Sequence, residues 1–500
     1  LNILKKLASD TAVYGLSSLL GRLLNYLLVP FHTLIFEPQA YGVVSVFYAD
    51  AAFLNVIYLY GMETAFFRFV NRADFDKESV FNLIQTALII SSVLFSSFLF
   101  FFADFLSVFF AYPDSELYIQ YFAFILGIDA ILAVPFARLR SEGKAKRFAS
   151  LKILTILLNI FFTIFFLWFC PKVTEGVFLA NFQDFFKKFY DTENQLAYVF
   201  LANLLANASL LPFFIKDFFK FRFQVDWTKF SPIFFYAYPI LFTGLTAAIN
   251  EVADRNLLEA LLPPNFYENK SSTDAVGIYS ACYKLAIFIS LAVQAFKYAA
   301  EPLFFAQAQQ KNSPEIFAKI MKYFVIACAV MYLGVSLNLD ILQFILQKPE
   351  YREGIYIVPF LLLANVFLGI YYNLAIWFKI TDRTYFGTWI GLFGAVLTVL
   401  FNILLIPVWG YLGSAVATLL CYAAMAGLCY VIGQKYFPVP YDIFSAFLYL
   451  GLASVLIGGA FWFKIENLYL GFVFHNGLLL AFVAFFFWKE KISLRKIRRN

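Results

Sequence analysis

The sequence predicts an all-α, polytopic membrane protein of about fourteen transmembrane helices, arranged as two six-helix lobes related by a pseudo-twofold axis, with two further helices at the C-terminal end. Three observations predict it. Hydrophobic residues make up 62% of the 500 and charged residues only 14%, too few to cover a soluble surface. The apolar residues fall in long runs separated by short polar loops, as a helical bundle solvated by lipid requires. A weak repeat relates the first half of the chain to the second.

A hydrocarbon core about 30 Å thick needs about 20 apolar residues per helix. Fourteen stretches meet that need: 11–36, 43–70, 80–106, 117–137, 148–169, 196–215, 232–262, 275–305, 316–339, 353–378, 386–406, 409–433, 442–463 and 467–488. The first, second, seventh and eighth are long enough that they must tilt or project beyond the membrane. The first run follows Lys5 and Lys6 but continues past Pro30 without a small-residue cleavage site, so we expect a retained helix rather than a signal peptide. An even count puts both termini on one side. With that side cytoplasmic, the inside segments hold most of the basic residues, from Lys5 through the Arg138 to Lys152 cluster to the tail Lys489 to Arg499. The outside loops are poor in them, their largest group being Lys172, Lys187 and Lys188. A miscounted span would scramble this alternation. The net charge of +6 is therefore mostly topology, and no nucleic-acid partner is indicated. The expected location is the bacterial cytoplasmic membrane, multi-pass, with both termini cytoplasmic.

No cofactor or metal motif is present. Cys170, Cys282, Cys328, Cys421 and Cys429 include no CxxC pair and read as small core residues. His32 lies near the outer end of the first span, and His475 in the last has no carboxylate or cysteine close in sequence, so neither is read as a metal or proton-relay site. The 67 phenylalanines are interchangeable with Leu or Ile against lipid tails and carry no functional reading.

Four basic residues, Arg22, Arg255, Lys284 and Lys297, remain inside apolar runs, where a charge near the bilayer centre costs about 3 kcal/mol on insertion scales. Acids accompany them: Asp50 and Glu63 in the second span, Asp129 in the fourth, Glu251 and Asp254 in the seventh, Glu301 in the eighth. Glu251 and Arg255 are four apart with the acid first, the better order for a helical pair, and Lys297 to Glu301 has the same spacing reversed. Arg22 and Lys284 have no acid on their own helices at such a spacing, which makes them the stronger candidates for a substrate contact.

The repeat aligns YGVVSVFYADAAF, from Tyr41 to Phe53, with VGIYSACYKLAIF, from Val276 to Phe288. It pairs Gly42 with Gly277, Ser45 with Ser280, Tyr48 with Tyr283, Ala51 with Ala286 and Phe53 with Phe288. Each half places an Arg in the preceding span, Arg22 and Arg255, and Asn159 has a counterpart in Asn402. The lobes so defined are residues 1–220 and 221–440, with 441–500 holding the last two helices and a basic tail. The opening LASDTAVYGLSSLLGRLLNYLLVPFHTLIFEPQAYGVVSVF, the stretch from Asp254-Arg255 to AVGIYSACYKLA, and N-x4-P-x2-G-x2-G-S-A-x-A-T from Asn402 to Thr418 carry a family resemblance. Through them the chain resembles the multidrug, oligosaccharidyl-lipid and polysaccharide flippase superfamily, and within it the polysaccharide transporter, or O-antigen and repeat-unit flippase, branch.

That resemblance implies a V-shaped pair of six-helix lobes around a central cavity that opens alternately to each side, lined by helices one, two, seven and eight. It implies no enzyme activity and a lipid-linked oligosaccharide as substrate. The substrate-binding candidates are Arg22, Arg255, Lys284 and Lys297, which would replace water around the pyrophosphate. The candidates for charge pairing or for taking up a coupling proton or sodium ion are Asp50, Glu251, Asp254 and Glu301. A multidrug cation antiporter or a lipid II flippase of the same superfamily remains the alternative, since basic and acidic residues balance at the central positions. A polysaccharide polymerase or ligase is disfavoured, because the longest exterior loop, about Cys170 to Gln195, contains neither Arg nor His.

Overall fold

A computed structural model describes residues 19–490 except 22, 25, 73, 308–311, 464 and 466, without the side chains of 298, 299, 301, 302, 305 and 306. Among the described residues the chain is helical and contains no strand. After a short helix α1 (Leu28–Ile35) come α2 (Pro38–Phe69), α3 (Lys77–Phe101), α4 (Glu116–Ser141), α5 (Ala145–Thr174), α6 (Gln195–Lys220) and α7 (Trp227–Leu261). Next is α8, whose parts Ser272–Leu285 and Ile287–Gln307 meet at a 50° bend. The chain continues through α9 (Ser313–Leu337), α10 (Pro349–Ile380), α11 (Tyr385–Trp409), α12 (Tyr411–Tyr436), α13 (Ile443–Trp462) and α14 (Leu468–Lys489). Twelve of these are long and apolar enough to cross a membrane, and α8 makes 13 when its parts count as one span. Each corresponds to one stretch expected from sequence; much of the remaining stretch, 11–36, lies outside the described residues. The protein is a multi-pass membrane protein.

Local signals in the sequence explain the helix starts. Asp76 caps α3 by accepting the Ser79 amide at 2.8 Å, and Asn467 caps α14 through the Tyr469 and Leu470 amides. Ser271 and Asp274 form a reciprocal capping box at α8. Aromatic side chains at helix ends face outward, Trp462, Tyr469 and Trp488 among the most exposed, as an interfacial belt requires. All five cysteines are buried and unpaired.

The chain divides into two compact units. One takes the described parts of Leu1–Leu28 together with Val43–Asn256, and the other takes Val29–Gly42 and Leu257–Asn500. In the first unit, the apolar faces of α2, α3, α4 and α7 meet in a cluster that includes Met62, Phe66, Phe81, Val134 and Ala237. The α2 helix breaks at Gly61, whose φ of +80° suits a residue without a side chain. A Cβ there would stand 2.5 Å from the Ala237 carbonyl oxygen, so glycine also lets α2 touch the α7 backbone.

In the second unit, α11 and α12 pack closely because of the Asn402 to Thr418 motif. A Cβ on Gly413 would lie 2.2 Å from the Leu405 carbonyl oxygen. Asn402 donates to the Thr398 carbonyl at 2.7 Å and accepts from Ser414 Oγ at 3.0 Å, so this buried amide is satisfied within the motif itself. The motif's residues act in packing. The segment Val29–Gly42 is tied to the start of α10: Tyr351 Oη donates to the Phe36 carbonyl at 3.0 Å, and Lys348 pairs with Glu37 at 2.6 Å.

Candidate functional site

Charged and amide side chains inside the spans converge at two places, one in each unit. In the first unit, α2 presents Asp50 and α7 presents Asp254, Arg255 and Asn256. The Asn256 amide nitrogen donates to the Asp50 carboxylate, joining the two helices. Two residues before Asp50, the Tyr48 hydroxyl accepts from Asn203 on α6 at 2.9 Å. Phe47 packs between these polar residues and the interior, its ring 5.7 Å from Tyr118 and 5.8 Å from Phe200. That apolar wedge fixes the rotation of α2 and so directs Asp50 to α7.

Arg255 does not use its helical spacing as the sequence suggested. The carboxylate it meets is that of Asp254, its neighbour, with Nη1 to Oδ1 at 3.0 Å, and the same nitrogen donates to the backbone carbonyl of Glu251 at 3.1 Å. The Glu251 side chain is exposed. The physical reason is burial: Asp254 is 4% exposed and needs a cation beside it, whereas Glu251 reaches solvent or headgroups without one. Two other acids singled out by sequence have partners in the same unit. Asp129 accepts from Asn207 at 3.0 Å, and Glu63 pairs with Arg140 at 2.7 Å.

In the second unit, Lys284 stands exposed in the last turn of α8 before the bend. Lys297 lies beyond the bend with its ammonium 4.6 Å from the centre of the Tyr372 ring on α10, a cation–π contact across helices. It lines a cavity of about 160 Å³ together with Asn373 and Lys379. Arg22 lies outside the described residues, and so does the side chain of Glu301. Thus the structure joins Asp50 to α7 and Arg255 to Asp254, and it places Lys297 at a cavity.

Asn203, Asn256, Asn373 and Lys379 were not singled out from the sequence. Isolated asparagines within apolar runs were the available signal, since a buried amide demands partners. Lys379 sits at a span end and reads as a loop charge until α10 is folded against α8. Among the described residues, no group of three or more His, Cys, Asp or Glu side chains is arranged to hold a metal ion.

A family model described as polysaccharide biosynthesis protein matches residues 7–307. No curated protein matches the chain. Among solved structures, the fold is similar to that of the lipid II flippase MurJ in an inward closed conformation. The TM-score is 0.66 at 12% identity, covering 96% of this chain and 99% of that one. It is also similar to a multidrug resistance MATE family transporter of the MOP superfamily. The inward-facing form gives a TM-score of 0.61 at 13% identity over 85% of this chain and 94% of that one. The outward-facing form gives 0.57 at 12% identity over 86% and 95%. At such identities the likeness is one of fold.

Proposed function

The chain belongs to the polysaccharide biosynthesis protein family, and from that premise we propose that it is a flippase carrying a polyprenyl-pyrophosphate-linked oligosaccharide across the bacterial cytoplasmic membrane by alternating access, for cell-surface polysaccharides such as O-antigen. The observation that carries the reading is Arg255. Its side chain is 12% exposed, beside an Asp254 side chain 5% exposed, in the C-terminal part of the membrane-spanning helix Trp227–Leu261. A buried ion pair is weak support for stability, because desolvation offsets most of the attraction. A planar cation held ready by a neighbouring acid suits a pyrophosphate that must leave water while its prenyl tail stays in lipid.

In this reading Arg22, Arg255, Lys284 and Lys297 contact the anionic headgroup. Asp50, Glu251, Asp254 and Glu301 balance those charges, and Asp50, shared between α2 and α7 through Asn256, is the candidate for a coupling proton or sodium ion. The repeat supports lobes of residues 1–220 and 221–440 with 441–500 appended, both termini being cytoplasmic.

The test is transfer of a fluorescent lipid-linked oligosaccharide between leaflets of proteoliposomes. Wild type should exceed empty vesicles, and Arg255→Ala should slow transfer about tenfold or more, with Arg255→Lys between them. Wild-type transfer no faster than in protein-free vesicles overturns the reading. The intramembrane acids Asp50 and Asp254 favour a second one, a cation exporter of the same fold. Cationic dye efflux driven by an ion gradient in the same vesicles, without lipid transfer, would establish it.

A further inference from the structure

The connection between α6 and α7 presents an apolar and a basic surface together, and the flippase reading uses neither. Phe219, Phe223, Val225 and Trp227 are between 62% and 83% exposed, and Lys216, Lys220, Arg222 and Lys229 are exposed beside them. Only residues 221–226 separate the two spans, so the segment lies at the membrane boundary. Its backbone is held by α3. The Arg222 amide donates to Asn82 Oδ1 and the Gln224 amide to Thr86 Oγ1, both at 3.0 Å. The Gln224 side chain donates to Ser79 Oγ at 3.2 Å, and Phe221 packs against the cluster that includes Phe81 and Ala237.

The charges on this segment do not cancel. Over residues 212–229 there are four basic side chains and two acids, Asp217 and Asp226. Asp226 meets Lys229 at 3.8 Å and caps α7 by accepting the Lys229 amide at 3.2 Å. Among the described residues, Lys216, Lys220 and Arg222 make no ion pair. Where Gln224 meets α3, the nearby acids are engaged: Asp76 accepts the Ser79 amide, and Glu78 pairs with Arg138. The loop between α5 and α6 also exposes phenylalanines, Phe182, Phe185 and Phe189, but there Lys187 and Lys188 are offset by Asp184, Asp191 and Glu193. Exposed rings alone fit lipid tails. Exposed rings joined to unpaired cations at the membrane boundary fit an anionic lipid surface.

We propose that residues 212–229 bind anionic bilayer phospholipid, with Phe219, Phe223, Val225 and Trp227 entering the acyl boundary and Lys216, Lys220 and Arg222 meeting lipid phosphates. Charge complementarity selects this occupant over a neutral lipid, and over a second copy of the chain, whose matching segment would carry the same positive surplus. The contact does not depend on the flippase reading.

The experiment uses the full-length Thr228→Cys variant carrying the polarity-sensitive dye NBD. The five native cysteines are buried, so the label attaches at position 228, beside Trp227. In a nonionic detergent, dioctanoyl phosphatidylglycerol should shift the emission to the blue with a saturable midpoint about tenfold or more below that of dioctanoyl phosphatidylcholine. One cation near an anionic surface corresponds to about a factor of five, so Lys220→Gln combined with Arg222→Gln should raise that midpoint about tenfold or more. Lys220→Arg combined with Arg222→Lys should leave it unchanged, and Phe223→Ser should raise the midpoint for both lipids. All these side chains are exposed, so each variant should elute as wild type does. Equal midpoints for the two lipids, or an unchanged midpoint in the doubly neutralised variant, overturns the proposal. So does a lipid-independent shift that grows with protein concentration, which assigns the surface to a second copy, or a response confined to farnesyl pyrophosphate, which assigns it to a prenyl-linked substrate. Selective binding of phosphatidylglycerol with no transfer of lipid-linked oligosaccharide by wild type would leave this contact standing and remove the flippase reading.

Discussion

The two parts of α8 share a helix-forming, apolar composition but sit in opposite surroundings. From Ala275 to Cys282 every residue is buried, and the backbone itself is in contact with the start of α2. A Cβ on Gly277 would stand 1.9 Å from the Pro38 carbonyl oxygen, and one on Gly42 would stand 2.0 Å from that of Thr273. These are the two glycines that the repeat aligns with each other, so the duplicated position has become a contact between its own copies. Beyond the bend, burial is partial: Lys297 is exposed, Ser290 donates to Asn365 at 3.0 Å, and a cavity opens beside α10. The difference teaches that one span serves as an anchor at one end and as a wall of a cavity at the other. The bend at Ala286 separates the two roles.

The strongest way to break the comparison is to add one methyl group to the anchor. Gly277→Ala or Gly42→Ala meets backbone, which cannot rotate away, so the destabilisation should reach or exceed the top of the about 1–3 kcal/mol range for overpacking. Fluorescence-detected size-exclusion chromatography should show aggregated or absent protein. A normal monodisperse peak with wild-type melting would refute the close contact. A smaller effect is expected from Ser271→Ala, which removes one half of the capping box that starts the anchor. It should cost about 1 kcal/mol and lower the melting temperature without changing lipid transfer.

The far part of α8 is supported from below by a cluster of Phe304, Phe317, Ile376 and Val439. Next to it, Asp442 pairs with Lys322 at 3.0 Å, and Lys322 also meets Glu490 at 2.7 Å. Burial pushes the Asp442 carboxyl up, but the hydrogen bonds from Ser445 and the Lys322 ammonium outweigh this and hold it down at about 2. A carboxyl lowered on folding contributes stability that is complete above its unfolded value near 3.9 and is lost as pH falls toward 2. Asp442→Asn should therefore melt below wild type at pH 6, with the gap closing between about pH 4 and 2. A gap independent of pH would show that the pairing does not stabilise this end. The smallest effect sharpens the contrast with Gly277: a Cβ on Gly451 of α13 would meet nothing within 4 Å. Gly451→Ala should leave melting unchanged or raise it by up to roughly 1 kcal/mol in stability.

Much of this architecture is legible in the sequence. Span positions follow from the length of apolar runs, because lipid leaves no other way to satisfy the backbone. The small residues from Asn402 to Thr418 announced close packing of α11 on α12, and the Gly413 contact with Leu405 is that packing. The candidate site was less legible. Helical spacing favoured Glu251 as the partner of Arg255, yet the carboxylate bonded to Arg255 is Asp254, because relative burial, not spacing, decides which acid most needs a cation. Asn373 and Lys379 were invisible for a related reason: one looked like a polar residue in a span and the other like a loop charge, until α10 brought both to Lys297.

By itself the sequence determined the class of solvent around this protein, the placement of the spans from α2 to α14, and the intramembrane charges that demand an explanation. Those depend on composition and period along one helix, which every residue carries locally. Only the tertiary structure decided which charges are partners, that Gly42 meets the helix backbone at Thr273 and Gly277 that at Pro38, and that Asn373, Lys297 and Lys379 line one cavity. Those facts depend on which faces of different helices meet, and distance between residues far apart in the chain is set by packing rather than by sequence spacing.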